Sequence, residues 1–490
     1  MGQKLSALGL TASKGEDVEI SGLSVDSRLV EPGHLFAALP GVNMHGGEFI
    51  QYAVRMDAAA VLTDANGAKI AAEYLDNVAV IIADNPRLAL AKAAARFYGA
   101  QPAHMVAVTG TNGKTSIANF TRQIWESLGL RAVNFGTAGI EGSVAAPLSH
   151  TTPEPITLHK LLADLKAQDV THAAMEASSH GLAQHRLDGV YLTAAAFSNF
   201  TQDHLDYHET FEEYFAAKAG LFDRVLPPEG TAVINLDDPK GADVAAIAEA
   251  RGQDVISIGE AGDLRLLNAR PDATGQEIRY SWKGDIRTAR LELIGSFQAM
   301  NVLQASALAI ACGADAKSVF DCLPELKTVR GRMELAATRE NGASVFVDYA
   351  HTPDAVETAL KAIRPHVMGR LLCVLGAGGD RDPIKRPLMG KAASEFADVV
   401  FVTDDNPRSE DPATIRAAVM EGATGAAEVT EVGDRAEAIL RAIDALQPGD
   451  TLVIAGKGHE TGQEVMGQIL PFDDVEQASI AVHALDGLGS

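Results

Sequence analysis

The amino-acid sequence predicts an α/β protein of about three domains built on mostly parallel sheets. At 490 residues the chain is too long for one hydrophobic core and long enough for about three of ordinary size. Short apolar runs of strand length alternate with stretches of helical periodicity, the pattern of parallel strands joined by helical crossovers. The runs repeatedly end in polar or glycine-rich loops, placing chemistry at the carboxyl ends of strands, where open α/β sheets bind ligands.

Composition narrows the partners. Apolar residues make up 47% and charged residues 22%, as in soluble globular proteins. With 41 basic against 65 acidic residues the formal charge is −24, which argues against a general nucleic-acid or anionic-membrane surface and leaves room only for a local basic pocket. Cys312, Cys322 and Cys373 make no disulfide framework and fit a reducing cytosol. No apolar run approaches the roughly 18 residues of a membrane helix. The expectation is a cytoplasmic monomer acting on small molecules.

Residues 1–98 read as a first α/β unit without a phosphate loop. Within it, 25–41 combines strand-like segments with a turn at Pro32-Gly33. Asp26, Ser27 and Arg28 sit at a strand end, either as ligand contacts or as a capped turn. Strands are expected at 58–63 and 78–83 and a helix at 88–98, before a boundary at Gly99-Ala100-Gln101-Pro102.

Residues 99–332 form the second unit. The run from Met105 to Val108 reads as a buried strand that breaks into Gly110, Thr111, Asn112, Gly113, Lys114 and Thr115. Ile117, Phe120, Ile124 and Leu128 then recur at helical spacing up to Gly129. This is the layout of a phosphate-binding loop, although shorter than the usual G-x-x-x-x-G-K-[ST] form. Glycines let backbone N–H groups close on phosphate oxygens, the helix N-terminus adds positive charge, Lys114 reaches the terminal phosphates, and the Thr115 hydroxyl can hold Mg²⁺.

Further polar clusters follow. Thr151 and Thr152 fall in a loop, and a strand at 173–176 delivers Glu176 and Ser178, with Gln184 and Arg186 beyond. A strand at 194–197 leads to Asn199, Asp203, His204 and Asp206. A carboxylate at a strand tip beside a phosphate loop suits Mg²⁺, which makes Glu176 the partner of Thr115 unless it is an ordinary surface Glu. His204 reads as a metal ligand or a structural histidine, oxygen donors being preferred by Mg²⁺. A helix at 212–225 carries Lys218, which helical context alone marks as a solvated charge. Residues 295–301 open a helix running to about Cys312, and the basic turn 328–334 stands near the second boundary.

Residues 333–490 again alternate strands with helical patterns. Strands at 344–347, 371–375, 399–403 and 451–455 end in Asp348, in GAGGDRD, in Asp405-Asn406-Pro407-Arg408, and in Gly456 to Glu460. Arg381, Arg408, Asp405 and Glu460 on one rim would suit a zwitterion, guanidinium forks for a carboxylate and carboxylates for an ammonium. A phosphate loop in one domain and an amino-acid pocket in the next suggest ATP used to activate an acid. The carboxylate becomes an acyl phosphate and an amine displaces phosphate. Nucleotide switches and motors normally use the longer loop without such a pocket. Intact Lys114, Thr115 and Glu176 count against a regulatory protein without chemistry.

TGTNGKT, EASSHGLAQHR, NFTQDHLDYH, DYAHTPD, GDRD, DNPR and GKGHE occur in this order along essentially the whole chain. In these motifs the protein resembles the Mur ligases, ATP-dependent amide-forming enzymes of peptidoglycan precursor synthesis, and among them the members that add the third amino acid. The resemblance implies an N-terminal UDP-sugar-binding domain, a central P-loop-type ATPase domain and a C-terminal Rossmann-like domain. The implied acceptor is UDP-N-acetylmuramoyl-L-alanyl-D-glutamate. The nearest competing member of the superfamily is a folylpolyglutamate synthase, against which the UDP-substrate motifs and DNPR argue.

By the same resemblance Ser27, Thr151, Thr152, Ser178, Gln184 and Arg186 hold the UDP substrate. Gly110 to Thr115 hold ATP, with Asn301 on adenine, Asp348 on ribose and Arg332 near the phosphates. Gln298 stands where the family usually has Asn. Lys218 matches a lysine that CO₂ converts to N6-carboxylysine, joining Thr115, Glu176 and His204 at the Mg²⁺ sites; Lys114, Lys218 and His204 are the implied catalytic groups. DNPR marks enzymes that add meso-diaminopimelate, through Arg381, Asp405, Asn406, Pro407, Arg408, Gly456 and Glu460. The base that takes the amine's proton is not named by any motif; Asp, Glu or His groups near the domain junction are candidates.

Overall fold

The computed structural model describes residues 2–41, 44–137, 139–148, 151–201, 207–208, 210–272 and 274–487. In the N-terminal part four parallel strands, Gly22–Ser24, His34–Ala37, Ala60–Thr63 and Ala79–Ile82, lie side by side in chain order. Helix Pro86–Tyr98 covers this sheet with Leu90, Ala93 and Ala94. Both its ends are written in the sequence: Asn85 accepts from the Leu88 N–H, Pro86 occupies the first turn, and Gly99 closes the helix at φ 67°.

The central sheet has ten strands. His104–Thr109 lies in its middle, parallel to His172–Glu176 on one side and to Ala194–Phe197 on the other. From it the chain moves out to Ala132–Gly136, returns as His172–Glu176, then crosses to Ala194–Phe197, Thr231–Asn235 and Asp254–Ile258. The winding reverses at His104–Thr109, so the loop after Thr109 opens at a topological switch point. The strand is apolar on both faces because both are covered. Val106 and Val108 meet Ile117, Phe120 and Trp125 of helix Lys114–Ser127 together with helix Phe297–Ala311. Met105 and Ala107 pack against Leu158, Leu162, Tyr214 and Phe222.

Two departures from expectation stand in this domain. The helix expected over 212–225 is an α-helix only at Phe211–Gly220 and continues as a π-helical turn at Leu221–Val225. An antiparallel meander, Leu264–Asp272, Gly275–Trp282 and Asp285–Leu291, extends the sheet. Its alternation is blurred by charged residues and a register shift near Leu266. One of its turns is made by Lys283 and Gly284, both at positive φ, rather than by the Asn-Gly or Asp-Gly pair that signals such a hairpin.

The C-terminal sheet orders Glu334–Thr338, Ser344–Asp348, Thr451–Ala455, Leu371–Leu375, Val399–Val402 and Glu428–Glu431, all parallel but the first. The sheet's last strand along the chain, Thr451–Ala455, lies inside it between Ser344–Asp348 and Leu371–Leu375, so the loops after Asp348, Leu375, Val402 and Ala455 share one edge. Val329 belongs to the central core and Met333 to the C-terminal one. Among the described residues no helix is long and apolar enough to cross a membrane.

Candidate active site

The loop after Thr109 owes its shape to two glycines. Gly110 has φ 144°, and a Cβ there would stand 1.9 Å from Ser198 Oγ. Gly113, at φ 87°, caps helix Lys114–Ser127, and its missing side chain admits Asn301 Oδ1 to 2.7 Å from where a Cβ would be. The neighbouring strand end braces the loop. Asn199 O and Oδ1 accept from the N–H groups of Thr111 and Asn112 at 2.9 and 2.8 Å, and Ser198 Oγ donates to Asn112 O at 2.6 Å.

Two lysines converge on one carbonyl of this loop. Lys114 Nζ donates to Gly110 O (3.0 Å) and Thr111 O (2.7 Å), while Lys218 Nζ donates to Gly110 O at 2.6 Å. Lys218 is 1% exposed, above the Tyr214 ring at 4.5 Å. A solvated helix lysine, the bland expectation, is therefore excluded. The Thr115 hydroxyl accepts from Arg332 Nη2 at 3.2 Å, and the Arg332 guanidinium lies 4.4 Å over the Tyr349 ring. Asp348 is buried, which raises its carboxyl pKa, and it accepts from the Met333 N–H at 2.7 Å. Asn301 Nδ2 donates to Gln298 Oε1 at 3.0 Å. Asp354 Oδ2 accepts from Asn112 Nδ2 and Thr201 Oγ1, both at 3.0 Å, tying the C-terminal domain to the loop.

Glu176 ends its strand 2% exposed, taking Thr137 N–H at 2.9 Å into the space left by Gly136. No hydrogen bond joins Thr115 to Glu176 among the described residues; Arg332 and Thr137 hold them instead. From Thr137 a hydroxyl network runs outward, to Thr151 Oγ1 at 3.1 Å, while Thr152 Oγ1 bonds Ser178 Oγ at 3.1 Å and Arg186 Nη1 donates to Thr152 O at 2.6 Å. Arg186 also donates to Gln184 Oε1. These two side chains, with Arg87, Glu154, Val25 and Leu39, line a cavity of about 190 Å³. Burial lowers the pKa of both Arg87 and Arg186, a cost that an anionic ligand would offset. Ser27 begins a short 3₁₀ turn capped by Asp26, and Arg28 forks onto that same carboxylate, so the capped-turn alternative is realised around it.

At the C-terminal rim Gly378 lets two guanidinium-bearing side chains approach: a Cβ there would be 2.9 Å from Arg408 Nη1 and 3.8 Å from Arg381 Cγ. Arg408 sits at φ 52°, donates from Nη1 to Gly379 O at 2.7 Å and pairs with Glu464 at 3.2 Å. Its backbone is stitched to the hairpin Gly462–Val465 and Gln468–Pro471 through Glu464 O and the Met466 N–H. Pro407 O lies against Gly379, whose Cβ would come within 2.0 Å of it. Beside them Lys457, fully buried, donates to Asn406 Oδ1 at 3.0 Å and stands 3.6 and 3.5 Å from Asp405 and Glu460; Asn406 Nδ2 donates to Glu460 Oε2 at 2.9 Å. Gly456 is bare where a Cβ would strike Asp405 Oδ2 at 2.5 Å. Behind the rim Arg435 and Asp474 form a wholly buried pair at 2.7 Å.

The predicted residues thus fall into three adjoining groups. His204, Asp203 and Asp206 lie outside the described residues. Among the described residues no cluster of three His, Cys, Asp or Glu could hold a metal; Thr115 and Glu176 supply oxygen donors, the kind Mg²⁺ prefers. Sequence reasoning missed Lys457, Asp354 and Tyr349, and marked Asn199 only as a polar residue at a strand end. Tyr349 stands at the junction, its hydroxyl pushed up to about 12 by burial and by Glu460, Asp405 and Glu176 on different sides.

Known proteins agree with this arrangement along the chain. Residues 19–98, 108–309 and 331–458 match the Mur ligase family catalytic domain, the Mur ligase middle domain and the Mur ligase glutamate ligase domain. The UDP-N-acetylmuramoyl-L-alanyl-D-glutamate--2,6-diaminopimelate ligase of Brucella melitensis is 47% identical over 97% of this chain and 96% of its own, and that of Caulobacter vibrioides 48% over 96% and 97%. A solved structure of a ligase of that name superposes with a TM-score of 0.72 at 33% identity, covering 99% of both chains. A folylpolyglutamate synthase from Mycobacterium tuberculosis, complexed with ADP, shares the fold at a TM-score of 0.63 and 20% identity over 82% of this chain. With its three domain matches in order and relatives near half-identical over nearly its full length, the chain belongs to the Mur ligase family.

Proposed function

We propose that this protein joins meso-2,6-diaminopimelate to UDP-N-acetylmuramoyl-L-alanyl-D-glutamate with conversion of ATP to ADP and phosphate, in cytoplasmic peptidoglycan precursor synthesis. The observation that carries the amino-acid assignment is the approach of Arg408 and Arg381 across Gly378, beside Asp405 and Glu460. A diamino dicarboxylic acid presents charges of both signs at its distal end, and L-lysine lacks the carboxylate the guanidinium groups would fork. On this proposal the domains are residues 1–98, 99–332 and 333–490, and the cavity beside Gln184 and Arg186, with Ser27, Thr151, Thr152 and Ser178, receives the UDP substrate.

ATP lies along Gly110 to Thr115, with Asn301 at adenine and Asp348 at ribose. Lys114 exchanges the carbonyls of Gly110 and Thr111 for phosphate oxygens. A carboxylate oxygen of the D-Glu side chain attacks the γ-phosphorus and ADP leaves, while Lys114 and Arg332 offset the repulsion between the two anions. The amine then attacks the acyl phosphate, giving the amide and phosphate. Mg²⁺, held by Thr115, Glu176, His204 and the modified Lys218, supplies further charge neutralisation when bound. Lys218 and Lys114 share one carbonyl, and conversion of Lys218 to N6-carboxylysine replaces two opposed cations by a complementary pair while keeping an N–H for Gly110 O. Asp405, Asn406, Pro407, Arg408, Arg381, Gly456 and Glu460 orient the amino acid.

Phosphate release by the purified protein with ATP, Mg²⁺ and the UDP-dipeptide, comparing meso-diaminopimelate with L-lysine, tests this. Release with diaminopimelate alone is expected. Preference for lysine would overturn the rim assignment, and silence with both would overturn the ligase.

A further inference from the structure

Glu460 and His459 are consecutive, yet their side chains serve opposite sides. Glu460 reaches Asn406 and Lys457 on the amino-acid rim. The His459 ring stands 5.1 Å from that of Tyr349, against the Thr137 backbone. Thr137 is the residue that donates to Glu176 and meets Thr151. The imidazole therefore occupies the seam between the phosphate-loop domain and the rim, where an amine held from one side must meet a carboxyl activated on the other. His459 Nδ1 is buried and has no hydrogen-bond partner among the described residues. Such unpaired nitrogens are rare and costly, and a donor arriving with a ligand would relieve this one. Burial, then the charges of Arg332 and Arg330, lower its pKa to about 4, with His351 acting in the same sense and a hydrogen bond to the Thr137 backbone opposing them, so the ring is neutral and able to accept a proton.

We propose that His459 is the proton acceptor for the attacking amine. This rests on the ligase activity proposed above. The amine nitrogen attacks the carbonyl carbon of the acyl phosphate and the C–N bond forms. The adduct's N–H⁺ gives its proton to Nδ1, the C–O bond to phosphorus-bound oxygen breaks, and phosphate leaves with the electron pair. The proton passes on to water when the seam opens. Arg332 and Arg330 hold the ring against protonation until nucleotide phosphates draw on Arg332, so the imidazole becomes a better base once ATP is in place.

Full-length His459→Gln and His459→Asn test this against the wild type, with ATP, the UDP-dipeptide and either meso-diaminopimelate or hydroxylamine as nucleophile. Hydroxylamine is uncharged at neutral pH and its adduct loses a proton to water readily, so its capture of the acyl phosphate needs no protein base. With diaminopimelate, kcat is expected to fall on the order of 10²-fold or more, KM to stay within about threefold, and the acidic limb of the kcat–pH profile to vanish. Hydroxamate formation is expected to stay within about threefold of wild type. Equal losses with both nucleophiles, or diaminopimelate turnover at the wild-type rate, overturn the proposal and leave the ligase standing. A wild type that forms neither amide nor hydroxamate overturns the ligase and this proposal with it.

Discussion

Arg408→Ala separates the amino-acid rim from the nucleotide loop. In the native chain the guanidinium is aimed by Gly379 O at 2.7 Å and by Glu464 at 3.2 Å. Glu464 is 41% exposed, so that ion pair adds under about 1 kcal/mol to stability. The bridge to the hairpin uses main-chain atoms only, the Arg408 N–H to Glu464 O and the Met466 N–H to Arg408 O, and survives truncation. The φ of 52° strains Ala no more than Arg. With the guanidinium bond to Gly379 O also lost, the fold should weaken by about 1–3 kcal/mol and stay cooperative, and the specific loss should appear in ligand binding.

A bidentate charge-assisted contact to the distal carboxylate is worth about 1.5–3 kcal/mol, which converts to a rise of roughly 10- to 150-fold in the KM for diaminopimelate. The ATP dissociation constant should change by less than about twofold, since Arg408 touches no element of the phosphate loop. Arg408→Lys should fall between, because an ammonium keeps the charge and loses the fork. L-lysine, which has no distal carboxylate, should be indifferent to the change, so selectivity over lysine should collapse by the same factor. Steady-state phosphate release with varied diaminopimelate or lysine, and calorimetric titration with ATP, read these quantities. Equal weakening of ATP and diaminopimelate, or an unchanged KM, would refute the assignment.

Other parts of the site answer to separate perturbations. Gly110→Ala puts a Cβ 1.9 Å from the Ser198 oxygen that braces Asn112, at a backbone angle suited to glycine; strain of about 1–3 kcal/mol should weaken ATP binding roughly 5- to 150-fold while thermal unfolding stays cooperative, and tight ATP binding would disprove the loop's role. Lys218→Ala should abolish ligation yet retain ATP binding, with partial recovery on adding formate, and carbon-13 NMR of the wild type in labelled bicarbonate should show a carbamate signal; its absence would count against the modification. His159 is held at about 4 by burial, against 6.5 unfolded. Folded imidazole stays neutral where the unfolded one takes up a proton, so its contribution is complete above pH 6.5 and lost as pH falls toward 4, up to roughly 3 kcal/mol. Urea unfolding at pH 7 and 5 should show a smaller difference in His159→Gln than in the wild type.

The legible features were those written in local pattern. His104–Thr109 is apolar on both faces because helices cover both, and Gly110 and Gly113 follow at once because backbone must close there. Asn85, Pro86 and Gly99 delimit a helix by capping chemistry alone. What could not be read was decided across the chain. Lys457 looks like any solvated lysine until Asp405 and Asn406 arrive from another loop to join Glu460 of its own. Asp354 sits in an unremarked helix start until Asn112 and Thr201 meet it from 242 and 153 residues away. The meander over 264–291 was lost because its edge strands expose charged residues on both sides and its Lys283-Gly284 turn lacks the usual signal.

The contacts that cross between the central and C-terminal domains explain why nucleotide and amino-acid sites can be coupled. Asp354 to Asn112 and to Thr201, whose N–H bonds Thr111, and His459 against Thr137 reach the phosphate loop, its brace and the residue that holds Glu176, while Arg332 at the domain boundary donates to Thr115. They are polar and few, so each is worth about 0.5–1.5 kcal/mol, or up to about 3 where a charge takes part, and the domain arrangement they hold is open to bias by a ligand. On the proposed function, nucleotide phosphates would compete for groups beside these contacts: Arg332 would exchange a neutral hydroxyl for an anion, and Lys114 would leave its backbone carbonyls. On the proposed function, phosphate binding would replace bonds to a hydroxyl and to backbone carbonyls beside the domain junction by stronger charge-assisted ones. An acyl phosphate formed there would have to meet the amine before it meets water, which is the requirement that separates a ligase from an ATPase.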